Sequence, residues 1–114
     1  MGRHFRQILT VLSCCAGLFG PALAQAQTPR FDLEAIEKGR AQYQRTCAQC
    51  HGRNMITPGT TAYDLRRFPV DQPERFVQSV TQGKGSMPSF KDALDSEAVK
   101  HLWAYVGSRG GKEP

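Results

Sequence analysis

Little in this 114-residue sequence announces a large or elaborate protein: it has four cysteines, one tryptophan and three histidines, with Arg66-Arg67 as its only adjacent basic pair. Scattered positive charge of this kind does not make a nucleic-acid footprint. No alternating stretch is long enough for a half-buried strand, so a sheet-based fold is not expected. There is no internal repeat and no glycine-rich nucleotide loop. No apolar run approaches the roughly 20 residues needed to span a bilayer. What remains, 39% hydrophobic and 22% charged, is the balance of one small soluble domain.

The N-terminus has the three-part layout of a secretory signal peptide: Arg3 and Arg6, an apolar stretch from Ile8 to Phe19, then Pro21 and Ala22-Leu23-Ala24. Cleavage after Ala24 is expected, although Ala24-x-Ala26 satisfies the same rule. A membrane anchor would need a longer run without Gly17, Gly20 and Pro21. A lipoprotein signal at Cys14 would want a small residue where Leu12 stands. The expected division is therefore residues 1–24 as a cleaved leader and residues 25–114 as the working domain, exported to the periplasm and not inserted in the membrane. Loss of the leader removes Cys14, Cys15 and His4 and lowers the formal charge from +5 to +3. A domain of this size buries only about 60–65% of its unfolded surface and is commonly completed by a disulfide, a metal or a cofactor.

Three segments carry a helical period. From Asp32 to Cys47, Leu33, Ile36, Gly39 and Tyr43 step by three or four, with Asp32 as N-cap and Glu34 and Glu37 in the first turns. Gly39 in mid-helix costs up to about 1 kcal/mol relative to Ala, which points to a close crossing of another helix. A second helix opens at Asp71-Gln72-Pro73-Glu74 with Asp71 as cap, presents Phe76, Val77 and Val80, and stops near Gly83. A third opens at Asp95 with Leu94 and Val99 as a hydrophobic staple. It buries Val99, Leu102, Trp103 and Val106, ends at Gly107 or Gly110, and is followed by a tail expected to fray. Between these lie a loop over residues 52–70, long enough to wrap a ligand, and the flexible Gly83–Ser89 segment that carries Met87. The fold class is all-α.

Cys47-Ala48-Gln49-Cys50-His51 is the C-x-x-C-H pattern of c-type haem attachment. Sulfurs three residues apart share one face of a helical turn, where they can form thioethers to the two haem vinyl groups, and His51 follows beneath the iron. A disulfide or thioredoxin-like pair uses the same C-x-x-C, but the latter needs strands. Structural zinc needs a fourth ligand of the usual kind, and beyond the motif only His101 is offered. A second axial ligand must come from Met55, Met87 or His101. Met55 is tethered only four residues past His51 and reads as packing. His101 falls away from the buried stripe of its helix and reads as a solvated side chain. Met87, on a glycine-rich loop before Pro88, is free to approach from the opposite face.

On these residues the chain resembles the small class I cytochromes c, over roughly residues 35–107. The resemblance implies a cytochrome c fold of three to five helices wrapped around one covalently bound haem c, tethered by Cys47 and Cys50 with His51 and Met87 as axial iron ligands. It also implies a crossing of the first and last helices built on Gly39, Tyr43 and Trp103, with Leu102 and Phe76 adding apolar surroundings, and a Pro58 carbonyl accepting the imidazole N–H. Asp64 to Pro69 is similar to small cytochromes that accompany periplasmic quinoprotein alcohol dehydrogenases, where Arg66 or Arg67 could pair with a haem propionate. The implied activity is non-enzymatic: a monomeric one-electron carrier between redox proteins, with a quinoprotein alcohol dehydrogenase, a bc1 complex or a terminal oxidase as candidate partners. The alternative is a haem enzyme or gas sensor with a displaceable distal ligand.

Overall fold

A computed structural model describes residues 31–57, 59 and 62–113; the expected leader, both candidate cleavage positions and Pro58 lie outside them. Among the described residues four α-helices follow one another, α1 (Leu33–Thr46), α2 (Ala48–His51), α3 (Pro73–Gln82) and α4 (Ser96–Gly107), with 3₁₀ turns at Arg53–Met55 and Leu65–Arg67. Among the described residues no strand forms; the one bridge pairs Lys84 with Met87. The architecture is all-α. No helix among the described residues is long and apolar enough to cross a membrane.

Helix α1 starts where the sequence places it. The Asp32 carboxylate accepts from the Ala35 N–H at 3.0 Å, filling one of the orphan donors of the first turn. Ile36, Gly39 and Tyr43 are buried, whereas Leu33 is 69% exposed and does not share the stripe assigned to it. It occupies the first helical position, beyond the reach of the crossing helix.

Gly39 is where α1 meets α4. A Cβ there would collide with the His101 carbonyl oxygen and lie 2.9 Å from Tyr105 Cβ, so the helices approach at backbone distance. The expected aromatic partner is corrected: Tyr43 packs on Tyr105, ring centroids 5.2 Å apart, while Trp103 faces Phe31, Phe68 and Phe76. Two positions along a helix turn a side chain by about 200°, so Trp103 and Tyr105 cannot serve the same face. Because both faces are covered, α4 is buried at Leu102, Ala104, Tyr105, Val106 and Gly107 as well as at Val99.

The cap of α3 also shifts. Gln72 with φ −123° is the N-cap and makes no side-chain cap bond, and Pro73 takes the first helical position. Proline favours that position and keeps its predecessor out of the helical region, so the cap falls on Gln72 and not on Asp71. At α4, Asp95 accepts from the Ala98 N–H at 2.8 Å and Leu94 and Val99 are both buried, as the sequence predicts.

The C-terminal tail does not fray through Glu113. Arg109 N–H donates to Val106 and Gly110 N–H to Tyr105, the two bonds of a Schellman ending. Arg109 thereby adopts φ 54°, where glycine is usual. Its guanidinium donates to the Phe68 carbonyl at 2.6 Å, and Arg40 donates to the Gly110 carbonyl at 3.0 Å.

Candidate functional site

The site begins at the joint between α1 and α2. Cys47 ends α1, donating its N–H to the Tyr43 carbonyl at 2.8 Å, and its own carbonyl accepts from Cys50 at 3.2 Å and His51 at 2.9 Å. One short turn therefore carries both sulfurs and the imidazole. Gly52 follows with φ 79°, and a Cβ there would collide with the Ile56 carbonyl, so the chain can reverse only through glycine. The buried Tyr43 hydroxyl donates to the Gly52 carbonyl at 2.9 Å, fastening the turn to α1. Burial pushes this phenol well above its ordinary pKa, so it stays a donor.

Cys47 and Cys50 are free thiols. Cys47 is half-buried and its thiol is pushed up to about 11, first by burial and then by the neighbouring Cys50. A dithiol exchange centre lowers a thiol pKa to expose a thiolate, and this turn does the reverse. Among the described residues no three His, Cys, Asp or Glu side chains converge as a metal-ion site, which leaves the zinc reading without a ligand set.

His51 Nδ1 lies 2.9 Å from the Tyr63 carbonyl oxygen. A carbonyl can only accept, so Nδ1 carries the proton and Nε2 keeps its lone pair for a metal. Among the described residues the acceptor is therefore Tyr63, twelve residues after His51; the expected acceptor, Pro58, lies outside them. Tyr63 is itself tied: its hydroxyl donates to the Arg67 carbonyl at 3.1 Å and its ring meets Phe68 edge-on at 6.3 Å. Asp64 caps the 3₁₀ turn through the Arg66 N–H at 3.1 Å and takes the Arg66 guanidinium in a two-point grip at 2.9 and 2.7 Å. That grip holds the Asp64 carboxyl below its ordinary pKa, while Arg66 itself stays exposed. Arg67 is exposed.

Phe68, Phe76 and Trp103 form a cluster with centroids 5.3 to 5.9 Å apart. Leu102, next to Trp103 in α4, is fully buried, whereas Tyr43 serves the α1–α4 crossing. Met87 lies half-buried on the turn after α3. Met55 is 1% exposed and sits in the core near Gly110, a packing residue as its spacing implies. It reaches that place through two left-handed residues, Asn54 at φ 54° and Met55 itself at φ 62°, which no composition signal predicts. His101 is half-buried in the groove between α1 and α4, beside Lys38, Gln42 and Arg45.

Two unbridged sulfurs on one helical turn, with an adjacent imidazole whose tautomer presents Nε2, fit the attachment chemistry of haem c. Cys47 and Cys50 would hold the macrocycle and His51 would hold its iron.

The sequence profile of the family described as cytochrome c oxidase, cbb3-type, subunit III matches residues 34–106. The quinohemoprotein alcohol dehydrogenase ADH IIB of Pseudomonas putida is 34% identical over 118 residues, covering 96% of this chain and 17% of that protein. Cytochrome c6 of Aphanizomenon flos-aquae is 33% identical over 72 residues, covering 60% of this chain and 83% of that one. The crystal structure of cytochrome c6C from Synechococcus sp. PCC 7002 superposes with a TM-score of 0.55 at 26% identity, over 66% of this chain and 96% of that chain. The chain thus spans about a sixth of the alcohol dehydrogenase it matches and most of the length of the small cytochromes.

Proposed function

The chain belongs to the family described as cytochrome c oxidase, cbb3-type, subunit III, and is a small class I c-type cytochrome; from that premise we propose that it is a monohaem carrier closed at the iron by His51 Nε2 and Met87. Covalently bound haem c goes with the family. That Cys47 and Cys50 are its anchors, that there is one haem, and that residues 1–24 are a leader removed from a domain of residues 25–114 are parts of the same proposal. The group supplies one-electron exchange between Fe(II) and Fe(III).

The observation that carries the reading is the His51 Nδ1–Tyr63 carbonyl bond. It fixes the ring about its own axis, selects the tautomer that can ligate, and makes Nε2 a stronger donor. On the other side a thioether favours the reduced iron relative to a second imidazole. The aromatic cluster of Phe68, Phe76 and Trp103 excludes water and disfavours the extra charge of the oxidised state. None of these residues has to move a proton or bind a substrate for an electron to pass, which supports a carrier over an enzyme.

For partners, the likeness to an alcohol dehydrogenase that bears the name quinohemoprotein supports a quinoprotein dehydrogenase as donor, with a bc1 complex as the alternative donor. The family description supports a terminal oxidase as acceptor. Contact would be small and transient, as redox encounters are. The leader pattern supports the periplasm as the site of action, and a monomer as the working form is part of the same proposal.

The test is ligand access. The wild-type ferrous protein should be low-spin and resist carbon monoxide, and Met87→Ala should keep its haem, bind carbon monoxide readily and fall in reduction potential. A Met87→Ala protein with an unchanged spectrum would remove Met87 from the iron.

A further inference from the structure

The loop that carries Met87 is not the flexible segment its glycines suggest. Lys84 and Met87 exchange both backbone hydrogen bonds at 3.0 Å, turning over Gly85 at φ 60° and Ser86. The returning limb is fastened to the last turn of α3 in two places. Phe90 N–H donates to the Val80 carbonyl at 2.9 Å, and the Ser89 hydroxyl donates to the Thr81 carbonyl at 2.5 Å. These carbonyls are among the four at a helix end that find no partner inside the helix. The limbs meet backbone to backbone at Gly83, φ 78°, where a Cβ would lie 2.7 Å from the Met87 oxygen and 2.9 Å from the Ser89 nitrogen. Pro88 has no N–H to offer, so the Ser89 hydroxyl is the first side-chain donor after Met87 that can close the ring. That hydroxyl also accepts from the Lys91 N–H at 3.4 Å.

We propose that Ser89 is a positioning residue for Met87, its hydroxyl keeping this ring closed and thereby setting how often the thioether leaves the iron. The inference rests on the ligation of Met87 proposed above. In this proposal departure of the sulfur is coupled to opening of the ring, and opening breaks the Ser89–Thr81 bond. One net hydrogen bond shifts such an equilibrium by roughly three- to tenfold. An outside ligand that enters only when the thioether has left binds in proportion to the open fraction. Loss of the hydroxyl should therefore raise its apparent affinity by the same factor.

The experiment is an imidazole titration of the ferric haem protein, read in the visible spectrum, for wild type, Ser89→Ala, Ser89→Thr and Met87→Ala. The expected result is a three- to tenfold gain in imidazole affinity for Ser89→Ala, a return toward wild type for Ser89→Thr, and a far larger gain for Met87→Ala. An unchanged affinity in Ser89→Ala, or an equal gain in Ser89→Thr, would overturn the role of the hydroxyl while leaving Met87 as ligand. A wild type that binds imidazole as readily as Met87→Ala would instead overturn the ligation itself. Should Ser89→Ala fail to mature, amide hydrogen exchange in the wild type decides. Slow exchange at Met87 and Phe90 agrees with a closed ring, and exchange at the rate of an open loop contradicts it.

Discussion

At His51 a single backbone oxygen determines what the ring can do. The residue itself is legible in the sequence because Cys47, Cys50 and His51 are bound by a fixed spacing. Its acceptor is not legible, because every residue offers a carbonyl and only the path of residues 52–70 brings the one at Tyr63 to Nδ1. The same limit applies to Arg66, whose guanidinium is gripped by Asp64, a partner that its place in the sequence does not announce. That pair gives a prediction in pH. The folded-state pKa of Asp64 is depressed, chiefly by its hydrogen bond to Arg66, so its contribution is present above the ordinary carboxylate range and is lost as pH falls through the depressed value. Asp64→Asn keeps a capping oxygen but loses the charge. Thermal midpoints should show the variant less stable than wild type at neutral pH and equal to it in strong acid; a constant difference across pH would contradict the assignment.

Elements were legible where a cap or a small residue has one physical reason to be present. Asp32 and Asp95 start their helices because their carboxylates meet free N–H groups, and Gly39 marks the crossing because no Cβ fits beside the His101 carbonyl. Gly39→Ala must separate two backbones, and overpacking of this kind costs about 1–3 kcal/mol or more. Calorimetry of the holoprotein should show a clear fall in midpoint, and an unaltered midpoint would mean that the helices are not in backbone contact. What failed to show in the sequence were endings made by main-chain geometry. The partner of Gly39 proved to be Tyr105 because Trp103 turns to the opposite face, and Arg109 holds a left-handed position that its identity does not suggest. Arg109→Ala loses the bond to Phe68 and keeps the strained backbone, whereas Arg109→Gly loses the bond and relieves the strain. The glycine variant should therefore be the more stable of the two by about 1 kcal/mol in denaturant unfolding, and the reverse order would contradict the Schellman ending.

For the whole molecule, the sequence is sufficient to define an all-α domain built around a tethered cofactor, since a chain this short has little core of its own. The buried aromatic residues divide between the α1–α4 crossing, with Tyr43 and Tyr105, and the pair Phe68 and Phe76, against which the half-buried Trp103 packs. The Cys47–His51 turn is fastened by the Tyr43 hydroxyl on the Gly52 carbonyl and by the Tyr63 carbonyl on His51. The turn around Met87 is closed by backbone bonds between Lys84 and Met87 and from Phe90 to Val80, which composition does not announce. The measurement that tests the account most directly is the intact mass of protein exported by a host competent in cytochrome maturation, taken under denaturing conditions with its reduced-minus-oxidised spectrum. The account predicts a mass equal to the processed polypeptide plus one haem that denaturant does not remove, with a low-spin spectrum. A colourless protein with the mass of the bare polypeptide would contradict it.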